Sequence, residues 1–499
     1  MKLSELASRL YDINPMLCID VADVNINFIT ADSREVKQGT LFLALQGHQV
    51  HGRDYLSKAI ENGAVAIFDE DDTPGIEYVQ NIPVIKIPKL GKLVSSIGNI
   101  FYDTNNLPIS IIGITGTNGK TTTSHLVAMW ATLLGDKSSV MGTVGNGLFG
   151  SLNESNNTTP SALEVHANIQ KYSTKGASLC AMEVSSHGLV QYRVESVPFR
   201  VTAFLNLSRD HLDYHHSMQE YAAAKFRLFD ELKSKVQIFN IDDAIGLKWF
   251  ENQKDAIAVS IDYARFIDKT PAHYVFAKSM VFHSKGVDIE IKSSFGEGVL
   301  HSPLLGEFNV HNILTALSIL LALGYDLTSL LDSAPKLIPV AGRMEKFSRE
   351  LFPTVVVDYA HTPDALEKAL LALKTHQLGK IWCVFGCGGD RDRGKRPLMA
   401  SVAQMHADHV IVTDDNPRTE DRETITNDII SGFLDLNYQV IHDRSQAIKT
   451  AIELADKDDL ILVAGKGHED YQIIGHNKIH YSDRELMHEL YHTQGLRLA

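Results

Sequence analysis

Short apolar runs alternate with polar, glycine-containing segments along most of the chain, and this alternation is typical of an α/β protein. Three β-rich runs in the first hundred residues predict strands at 40–45, 64–68 and 83–87. From residue 107 to about residue 338, strand-like and helix-like segments follow one another, which predicts a mostly parallel sheet. The part from residue 339 onward holds four further apolar runs, each ending in a polar cluster.

Two turn-forming segments interrupt this pattern and divide the chain. The first is Tyr102–Pro108, which is polar, and the second is Leu337–Gly342. A chain of 499 residues is too long for a single core. We therefore predict three domains, at 1–106, 107–338 and 339–499.

The glycine-rich segment Gly113–Thr123 carries the clearest candidate chemistry. It follows an apolar run at 109–112 and opens a helical pattern. The apolar face of that pattern consists of Leu126, Val127, Met129, Trp130, Leu133 and Leu134. In such a loop the backbone N–H groups and the helix N-terminus bind phosphate oxygens, while Lys120 would reach the terminal phosphates and Thr121 would ligate Mg²⁺. Ile114 stands where the standard motif has its first glycine, yet the context predicts a nucleoside triphosphate site.

The composition of the chain limits the classes of molecule that it is expected to bind and the compartment in which it is expected to work. A net charge of −14 argues against nucleic acid and anionic membranes as partners. The cysteines are too few and too scattered for a disulfide framework, which favours a reducing compartment. They are Cys18, Cys180, Cys383 and Cys387. The N-terminal sequence lacks the apolar core of a signal peptide, and the most apolar run, 313–324, falls short of a membrane span. We expect a cytoplasmic protein that works on small molecules.

Polar clusters follow the four apolar runs of the last third of the chain. They are Asp358–His361, Gly386–Arg391, Asp414–Arg418 and Gly465–Glu469. Because the carboxyl ends of parallel strands share one edge of a doubly wound sheet, these clusters are expected to form one site. The Gly386-Cys-Gly-Gly segment is not a dinucleotide fingerprint, since the third glycine is missing and basic residues follow where an apolar helix start is expected.

Taken together, the motifs from Asp32-Ser-Arg34 to Tyr481-Ser-Asp-Arg484 closely resemble those of the Mur ligases, the ATP-dependent amino-acid ligases of peptidoglycan synthesis. The resemblance implies an N-terminal domain for a uridine nucleotide, a central ATPase and a C-terminal Rossmann-like domain for the incoming amino acid. It also implies the reaction. ATP phosphorylates a substrate carboxylate, an amine attacks the acyl phosphate, and ADP and phosphate are released.

The resemblance assigns the nucleotide and metal residues. Those matching the ATP site are Gly116, Thr117, Asn118, Gly119, Lys120, Thr121, Thr122, Asn309, Asn312, Arg343 and Asp358. Those matching the catalytic and Mg²⁺ positions are Lys120, Thr121, Glu183, His211 and Lys225. The lysine matching Lys225 is carbamylated by CO₂ in the family, giving N6-carboxylysine. That reaction needs a neutral amine, and hence a depressed pKa.

The same resemblance assigns two substrates. For UDP-N-acetylmuramoyl-L-alanyl-D-glutamate the matching residues are Ser33, His48, Gln49, Val50, Asn157, Thr158, Thr159, Ser185, Gln191 and Arg193. For meso-diaminopimelate they are Arg391, Asp415, Asn416, Pro417, Arg418, Gly465 and Glu469. Diaminopimelate differs from lysine by one carboxylate, and a guanidinium grips a carboxylate with two hydrogen bonds. Arg418 therefore favours diaminopimelate.

Three alternatives remain open. The nearest is the lysine-adding ligase of the same family, which usually lacks the arginine matching Arg418. A second is a ligase similar to folylpolyglutamate synthase, which does not need the Asn157-Thr-Thr159 segment. The third, from a different class, is a P-loop switch that hydrolyses ATP to change shape. We expect a monomer.

Overall fold

The computed structural model describes residues 1–13, 23–47, 50–155, 157–253, 255–266, 270–283, 286–376 and 379–492. The chain forms two compact units. The first unit consists of residues 1–258 and 322–324, and the second of residues 259–321 and 325–499.

The first unit begins with a five-stranded sheet in the order β1-β2-β3-β5-β4, parallel except for β4. Its elements are α1 (Leu3–Ile13), β1 (Phe28–Thr30), β2 (Thr40–Ala44), α2 (Leu56–Glu61), β3 (Ala64–Glu70), β4 (Gly75–Val79), β5 (Ile82–Ile87) and α3 (Leu90–Tyr102). Helices α1 and α3 pack on the sheet through Leu6, Phe68 and Ile97, which are fully buried. The three strands predicted from the sequence correspond to β2, β3 and β5.

The rest of the first unit is built around a second sheet. Its elements are β6 (Ser110–Thr115), α4 (Lys120–Leu133), β7 (Ser138–Gly142), β8 (Gly145–Leu148), β9 (Ser151–Asn153), α5 (Ala162–Thr174), β10 (Leu179–Glu183), α6 (Ser186–Val190), β11 (Phe199–Phe204), α7 (Leu212–His215), α8 (Met218–Asp230), β12 (Val236–Asn240) and α9 (Ala244–Phe250). The strand order is β12-β11-β6-β10-β7-β8-β9. The strands from β12 to β7 are parallel, and β8 and β9 extend the sheet as antiparallel strands. Strand β13 (Ile257–Ser260) lies at the boundary between the units.

Helix α4 differs from the predicted amphipathic pattern. Leu126 and Trp130 are fully buried as expected, but Leu133 is 41% exposed. Polar residues near the start of the helix, such as Ser124, are buried as well. The first turns of the helix are therefore enclosed on most sides, and its last turn is partly exposed. The periodicity of its apolar residues does not predict this difference.

The polar segment 102–108 is not a free linker. It holds the end of α3 and a short 3₁₀ helix at Thr104–Asn106. Thr104 is buried, and its hydroxyl lies 2.9 Å from Nδ1 of His166 on α5. Nε2 of the same imidazole lies 3.0 Å from the Ser95 hydroxyl on α3. Because the Thr104 hydroxyl already donates to Asn99 Oδ1, it accepts from Nδ1–H. The neutral imidazole then leaves Nε2 as an acceptor for the Ser95 hydroxyl, which itself accepts from the Ser196 N–H.

His166 should make the stability of the first unit pH-dependent. Burial lowers the pKa of His166 from 6.5 to about 3. A folded-state pKa below the unfolded value means that the contribution is complete above pH 6.5 and is lost as the pH falls toward 3. Between pH 7 and pH 5 the wild type should therefore lose about 2 kcal/mol that His166→Gln does not lose. Urea unfolding at both pH values tests this, with the exposed His476→Gln as the control. Equal pH dependence in wild type and His166→Gln would contradict it.

The second unit contains a hairpin region followed by a six-stranded sheet. Its elements are α10 (Tyr263–Phe266), β14 (Tyr274–His283), β15 (Gly286–Ser293), β16 (Gly296–Ser302), α11 (Glu307–Ala322), α12 (Leu327–Ser333), β17 (Glu345–Phe347), β18 (Thr354–Asp358), α13 (Pro363–Lys374), β19 (Ile381–Phe385), α14 (Lys395–His406), β20 (His409–Val412), α15 (Arg422–Ile430), β21 (Tyr438–Val440), α16 (Arg444–Leu454), β22 (Leu460–Ala464), β23 (Tyr471–Ile474), β24 (Asn477–His480) and α17 (Asp483–His492). Strands β14, β15 and β16 pair antiparallel, so the alternation predicted up to residue 338 does not extend to them.

The six-stranded sheet has the order β17-β18-β22-β19-β20-β21. All of its strands are parallel except β17. Apolar side chains fill both faces, with Val356 and Leu462 packed under α13 and α14, and Val357 and Ile461 under α16 and α17. This is the predicted doubly wound arrangement, and it places the carboxyl ends of β18, β22, β19 and β20 side by side.

The cysteines of the described residues are free and buried. Cys383 lies within β19 and Cys387 just after it, and burial raises the pKa of the Cys387 thiol to about 12. The pair therefore belongs to the strand end. Among the described residues, no helix is both long and apolar enough to cross a membrane.

Candidate active site

The glycine-rich loop of the first unit connects β6 to α4. Strand β6 lies between β10 and β11, parallel to both. Ile114 is fully buried within β6, so the position of the missing glycine belongs to the strand and not to the turn. The turn itself spans Gly116 to Gly119, and Gly119 has a φ of 86°, which favours glycine. The predicted loop forms as expected.

Asn206, which the sequence analysis did not single out, fixes the conformation of this loop. Its Oδ1 accepts from the backbone N–H of Asn118 at 2.9 Å, and its Nδ2 donates to the Asn118 carbonyl at 3.1 Å. Its own carbonyl accepts from the Thr117 N–H at 2.9 Å. Two successive loop amides are therefore held by one residue from the segment after β11.

Two lysines meet at the carbonyl oxygen of Gly116. Lys120 Nζ donates to it at 2.8 Å, and Lys225 Nζ, from α8, donates to it at 2.9 Å. Lys225 is only 1% exposed. Burial, reinforced by the nearby charge of Lys120, holds the pKa of Lys225 well below its usual value of 10.5. The site thus favours a neutral, nucleophilic amine at Lys225.

Glu183, at the end of β10, is the centre of a hydrogen-bond network. Its carboxylate accepts from the Thr121 hydroxyl at 3.0 Å and from the Thr143 N–H at 2.8 Å. The Thr143 hydroxyl lies 3.2 Å from Glu183 Oε2 and 3.1 Å from the Thr158 hydroxyl. The carbonyl of Glu183 accepts from the Thr159 hydroxyl at 2.8 Å. We call these five residues the Glu183 network.

The Glu183 network requires a glycine at position 142. A Cβ atom on Gly142 would lie 2.1 Å from Glu183 Oε1. Gly142→Ala should therefore displace the carboxylate and lower turnover roughly 10- to 100-fold, the cost of a lost hydrogen bond to a charged group. Steady-state kinetics tests this, with Gly75→Ala as the control, because a Cβ there meets nothing within 4 Å. Unchanged turnover in Gly142→Ala would show that the carboxylate position is unimportant.

Further predicted substrate residues join the same network. Thr159 Oγ1 accepts from the Ser185 N–H at 2.9 Å, and Arg193 donates to the Thr159 carbonyl at 2.6 Å. Arg193 also makes two hydrogen bonds to Gln191 Oε1. Asn157 is exposed and contacts Ser155. The structure thus links Thr158, Thr159, Ser185, Gln191 and Arg193 to Glu183.

His211 lies just before α7, on the segment that follows β11. It has a φ of 53°, and its side chain is 45% exposed, with Nε2 3.4 Å from Asp210. Its ring lies against those of His187 and Tyr221. Within the described residues, no three His, Cys, Asp or Glu side chains form a metal-binding group.

The donors near the loop nevertheless suit Mg²⁺. The Thr121 hydroxyl and the Glu183 carboxylate are hard oxygen ligands already within hydrogen-bond distance of each other. Mg²⁺ commonly uses one or two protein ligands and completes its shell with waters and substrate phosphates. A single carboxylate beside a loop hydroxyl therefore fits this ion without a cluster of three ligands.

Two further predicted uridine-site residues, Ser33 and Val50, follow strands β1 and β2 of the N-terminal sheet. Ser33 accepts from Asn62 through its carbonyl, and Val50 is 54% exposed, with its carbonyl accepting from Gly47. Both contacts lie within the N-terminal part of the first unit. His48 and Gln49 lie outside the described residues.

In the second unit, Asp358 ends β18 and is held by backbone groups. Its carboxylate accepts from the N–H of Met344 and of Ala360, both at 2.8 Å. Burial raises its pKa despite the nearby charge of Arg343. The guanidinium of Arg343 lies over the Tyr359 ring at 4.5 Å. On α11, Asn309 and Asn312 are buried and bonded to each other at 3.0 Å.

Lys466 contacts side chains from the segments that follow β20 and β22. Its Nζ lies 3.4 Å from Asp415 Oδ1, 3.1 Å from Asn416 Oδ1 and 3.2 Å from Glu469 Oε2. Asn416 Nδ2 also donates to Glu469 Oε2 at 3.0 Å. These four residues are the Lys466 cluster. Asp415, Asn416 and Glu469 are predicted from the sequence as site residues, whereas Lys466 is not.

Arg418 lies beside the loop that follows β19. Its Nη1 donates to the Gly389 carbonyl at 2.8 Å, and its backbone is held by Ile473 and Gly475. A Cβ on Gly388 would lie 2.8 Å from Arg418 Nη1 and 3.6 Å from Arg391 Cγ, so the two arginines flank this glycine. Pro417 contacts the same loop, because a Cβ on Gly389 would lie 1.9 Å from the Pro417 carbonyl. Gly465, with a φ of 118°, lies next to Asp415.

This loop is itself anchored by an ion pair between Arg396 and Glu420. Arg396, which is fully buried, donates to both oxygens of Glu420 at 2.7 Å and to the Gly388 carbonyl at 3.2 Å. Glu420 in turn accepts from the Asp390 N–H at 2.9 Å. The four strand-end clusters predicted from the sequence therefore form adjoining parts of one sheet edge.

A strand, a glycine loop and a helix, with a lysine and a carboxylate at the loop, define a P-loop-type nucleotide-binding α/β protein. The chain belongs to the Mur ligase family. Its sequence matches the Mur ligase family, catalytic domain, at residues 25–102, the Mur ligase middle domain at 114–320 and the Mur ligase, glutamate ligase domain, at 342–467. The family predicted from the motifs is confirmed.

Individual proteins agree with this assignment. The UDP-N-acetylmuramoyl-L-alanyl-D-glutamate–2,6-diaminopimelate ligase of Haemophilus influenzae is 50% identical over 470 residues, covering 93% of this chain and 96% of that protein. A solved structure of a ligase with that name is 36% identical, with a TM-score of 0.71, and covers 97% of this chain and 98% of its own. Folylpolyglutamate synthase of Mycobacterium tuberculosis, complexed with ADP, is 16% identical with a TM-score of 0.61 over 75% of this chain and 91% of its own, which shows a shared fold alone.

Proposed function

We propose that this protein is the ATP-dependent ligase that adds meso-diaminopimelate to UDP-N-acetylmuramoyl-L-alanyl-D-glutamate. The relative of the same name at 50% identity supports this. The observation that carries the amino-acid assignment is Arg418, held next to Arg391 and the Lys466 cluster at one sheet edge. Lysine would leave a guanidinium without its carboxylate partner there, which disfavours the lysine-adding alternative.

In the first unit, the loop from Gly116 to Thr122 would bind the phosphates of ATP, with Lys120 turning from the Gly116 carbonyl to the terminal phosphate. Thr121, Glu183, His211 and carbamylated Lys225 would hold Mg²⁺, which neutralises phosphate charge when bound. The nucleotide contacts of Asn309, Asn312, Arg343 and Asp358 remain predictions, as do the domain boundaries, the monomeric state and the cytoplasmic location.

Lys225 has the properties that carbamylation requires. Its neutral amine would attack CO₂ and form an N–C bond, and one proton would leave to solvent, giving a carbamate anion. The buried position beside Lys120 supports this, because an anion there would offset the charge of a neighbouring ammonium. The modification would convert a site with two lysines into one with a lysine and an anionic ligand.

The carboxylate of the D-glutamyl residue would be phosphorylated and then attacked by the amine of diaminopimelate. Thr158, Thr159, Ser185, Gln191 and Arg193 would orient the uridine substrate. The hydrogen bonds that connect Thr158 to Glu183 through Thr143, and Ser185 and Arg193 to Glu183 through Thr159, support this role. Arg193 would supply a cation next to anionic parts of that substrate. Orientation of the reacting groups supplies much of the rate in such a transfer.

Phosphate release tests the proposal. Wild-type protein is given ATP, Mg²⁺ and UDP-N-acetylmuramoyl-L-alanyl-D-glutamate, with diaminopimelate, lysine or no amino acid. Release that depends on diaminopimelate supports the proposal, and release that depends equally on lysine supports the lysine-adding ligase. Release without any amino acid supports an ATP-hydrolysing switch. Release that requires folate and glutamate instead supports the folylpolyglutamate synthase alternative.

A further inference from the structure

Lys466 is fully buried, yet its ammonium is surrounded by side chains of the proposed amino-acid site. It follows β22, whereas Asp415 and Asn416 follow β20. An ammonium has three N–H donors and no acceptor. In the Lys466 cluster, three oxygens lie within 3.4 Å of Nζ, one each from Asp415, Asn416 and Glu469. The three N–H donors of the Lys466 ammonium therefore have oxygen partners within the protein, and a bound ligand is not required to satisfy them.

The position of this ammonium determines how its neighbours are oriented. Asn416 Oδ1 accepts from both Lys466 and the Ile473 N–H, so Asn416 Nδ2 must point toward Glu469. Glu469 Oε2 accepts hydrogen bonds from both Lys466 Nζ and Asn416 Nδ2. Two carboxylates so close to each other would repel without a cation between them. The Glu469 carboxylate is therefore held in one orientation, with Oε1 as the oxygen not bound by Lys466 or Asn416.

Another buried cation, Arg444, already stabilises the end of strand β22. Arg444 is buried and donates to the Ala464 carbonyl at 2.9 Å, and it makes two hydrogen bonds to the buried Asp483. That pair supports the end of β22 through the Ala464 carbonyl. Lys466, in contrast, contacts side chains that the proposed function assigns to the amino acid.

We infer that Lys466 is a positioning residue for the amino-acid substrate. Its ammonium holds Asp415, Asn416 and Glu469 in the arrangement that receives the distal ammonium group of a diamino acid. The inference rests on the proposed function, because it takes the sheet edge to be the amino-acid site. Lys466 would act through Glu469 and Asn416 and would not touch the substrate.

Lys466→Met removes the charge and keeps the length of the side chain. Its KM for diaminopimelate should rise about 10- to 30-fold, with changes of less than about 3-fold in the KM for ATP and for the uridine substrate, as expected for a lost charged contact. Lys478→Met is the matched control, since both lysines lie over the Tyr471 ring, at 5.6 Å for Lys466 and 4.0 Å for Lys478. Lys478 belongs to the exposed strand β24.

The outcomes separate the inference from the proposed function. If wild type uses diaminopimelate but Lys466→Met keeps the wild-type KM for it and only loses turnover, Lys466 is structural and the inference is wrong. If wild type releases no phosphate with diaminopimelate, the proposed function fails and the inference with it. Should Lys466→Met not fold, Asp415→Asn and Asp415→Asn/Lys466→Met are compared. The added lysine change should still raise the KM at least 10-fold over Asp415→Asn, and equal values overturn the inference.

Discussion

Lys225→Met should lower turnover about 1,000-fold or more, a loss of roughly 4 kcal/mol in transition-state stabilisation. Methionine has a similar length but no amine that could attack CO₂, so the carbamate cannot form in this variant. Lys225→Arg should be equally inactive, since a guanidinium keeps its charge and does not form a carbamate. Phosphate release under saturating substrates measures the effect. Lys248→Met, an exposed lysine of α9 in the same unit, is the control.

The dependence on CO₂ separates carbamylation from a simple charge at Lys225. Wild-type protein purged of CO₂ should lose activity and regain it when bicarbonate is added. Lys225→Met should respond to neither treatment. Protein incubated with ¹³C-labelled bicarbonate should show a carbamate carbon signal in NMR that Lys225→Met lacks. An active Lys225→Arg, together with wild-type activity that ignores CO₂, would refute the modification.

The helical position of Lys225 is predictable from the sequence, but its burial is not. The tripeptide Ala-Ala-Ala before Lys225 predicts a helix, and a helical lysine is normally solvated. Only the packing of α8 against the loop buries it, with Nζ 2.9 Å from the Gly116 carbonyl. Resemblance to the family pointed to this residue, whereas its environment depends on a contact between residues more than a hundred positions apart.

Local patterns were sufficient for other features. The glycine loop and the strand-end clusters were predictable, because each lies within a few residues of an apolar run that forms a strand. The roles of Asn206 and Lys466 were not, since Asn206 binds a loop residue 88 positions away and Lys466 binds Asn416, 50 positions away. Their roles follow from strand order, which places β11 next to β6 and leaves one strand, β19, between β22 and β20. The role of His166 could not be predicted for the same reason, since its partners Ser95 and Thr104 lie more than 60 positions away.

Arg418 is the residue on which the choice of amino acid depends. Its backbone is fixed, because its N–H donates to the Ile473 carbonyl at 2.9 Å and its carbonyl accepts from Gly475 at 2.7 Å. A change of side chain therefore leaves the loop path in place. One guanidinium nitrogen is bound to the Gly389 carbonyl. The N–H donors of a guanidinium lie in its plane, and two of them can bind a carboxylate side by side.

Arg418→Ala should raise the KM for diaminopimelate roughly 30- to 1,000-fold, equivalent to about 2–4 kcal/mol, because a carboxylate loses a paired cation in a partly enclosed site. The KM for ATP should change far less. Lysine has no distal carboxylate, so the preference for diaminopimelate over lysine should fall by a similar factor. Arg418→Lys should lie between wild type and Arg418→Ala, since it keeps the charge without the two-pronged geometry. Arg422→Ala, whose side chain is 60% exposed, is the control. An unchanged KM for diaminopimelate in Arg418→Ala would mean that the second carboxylate is bound elsewhere.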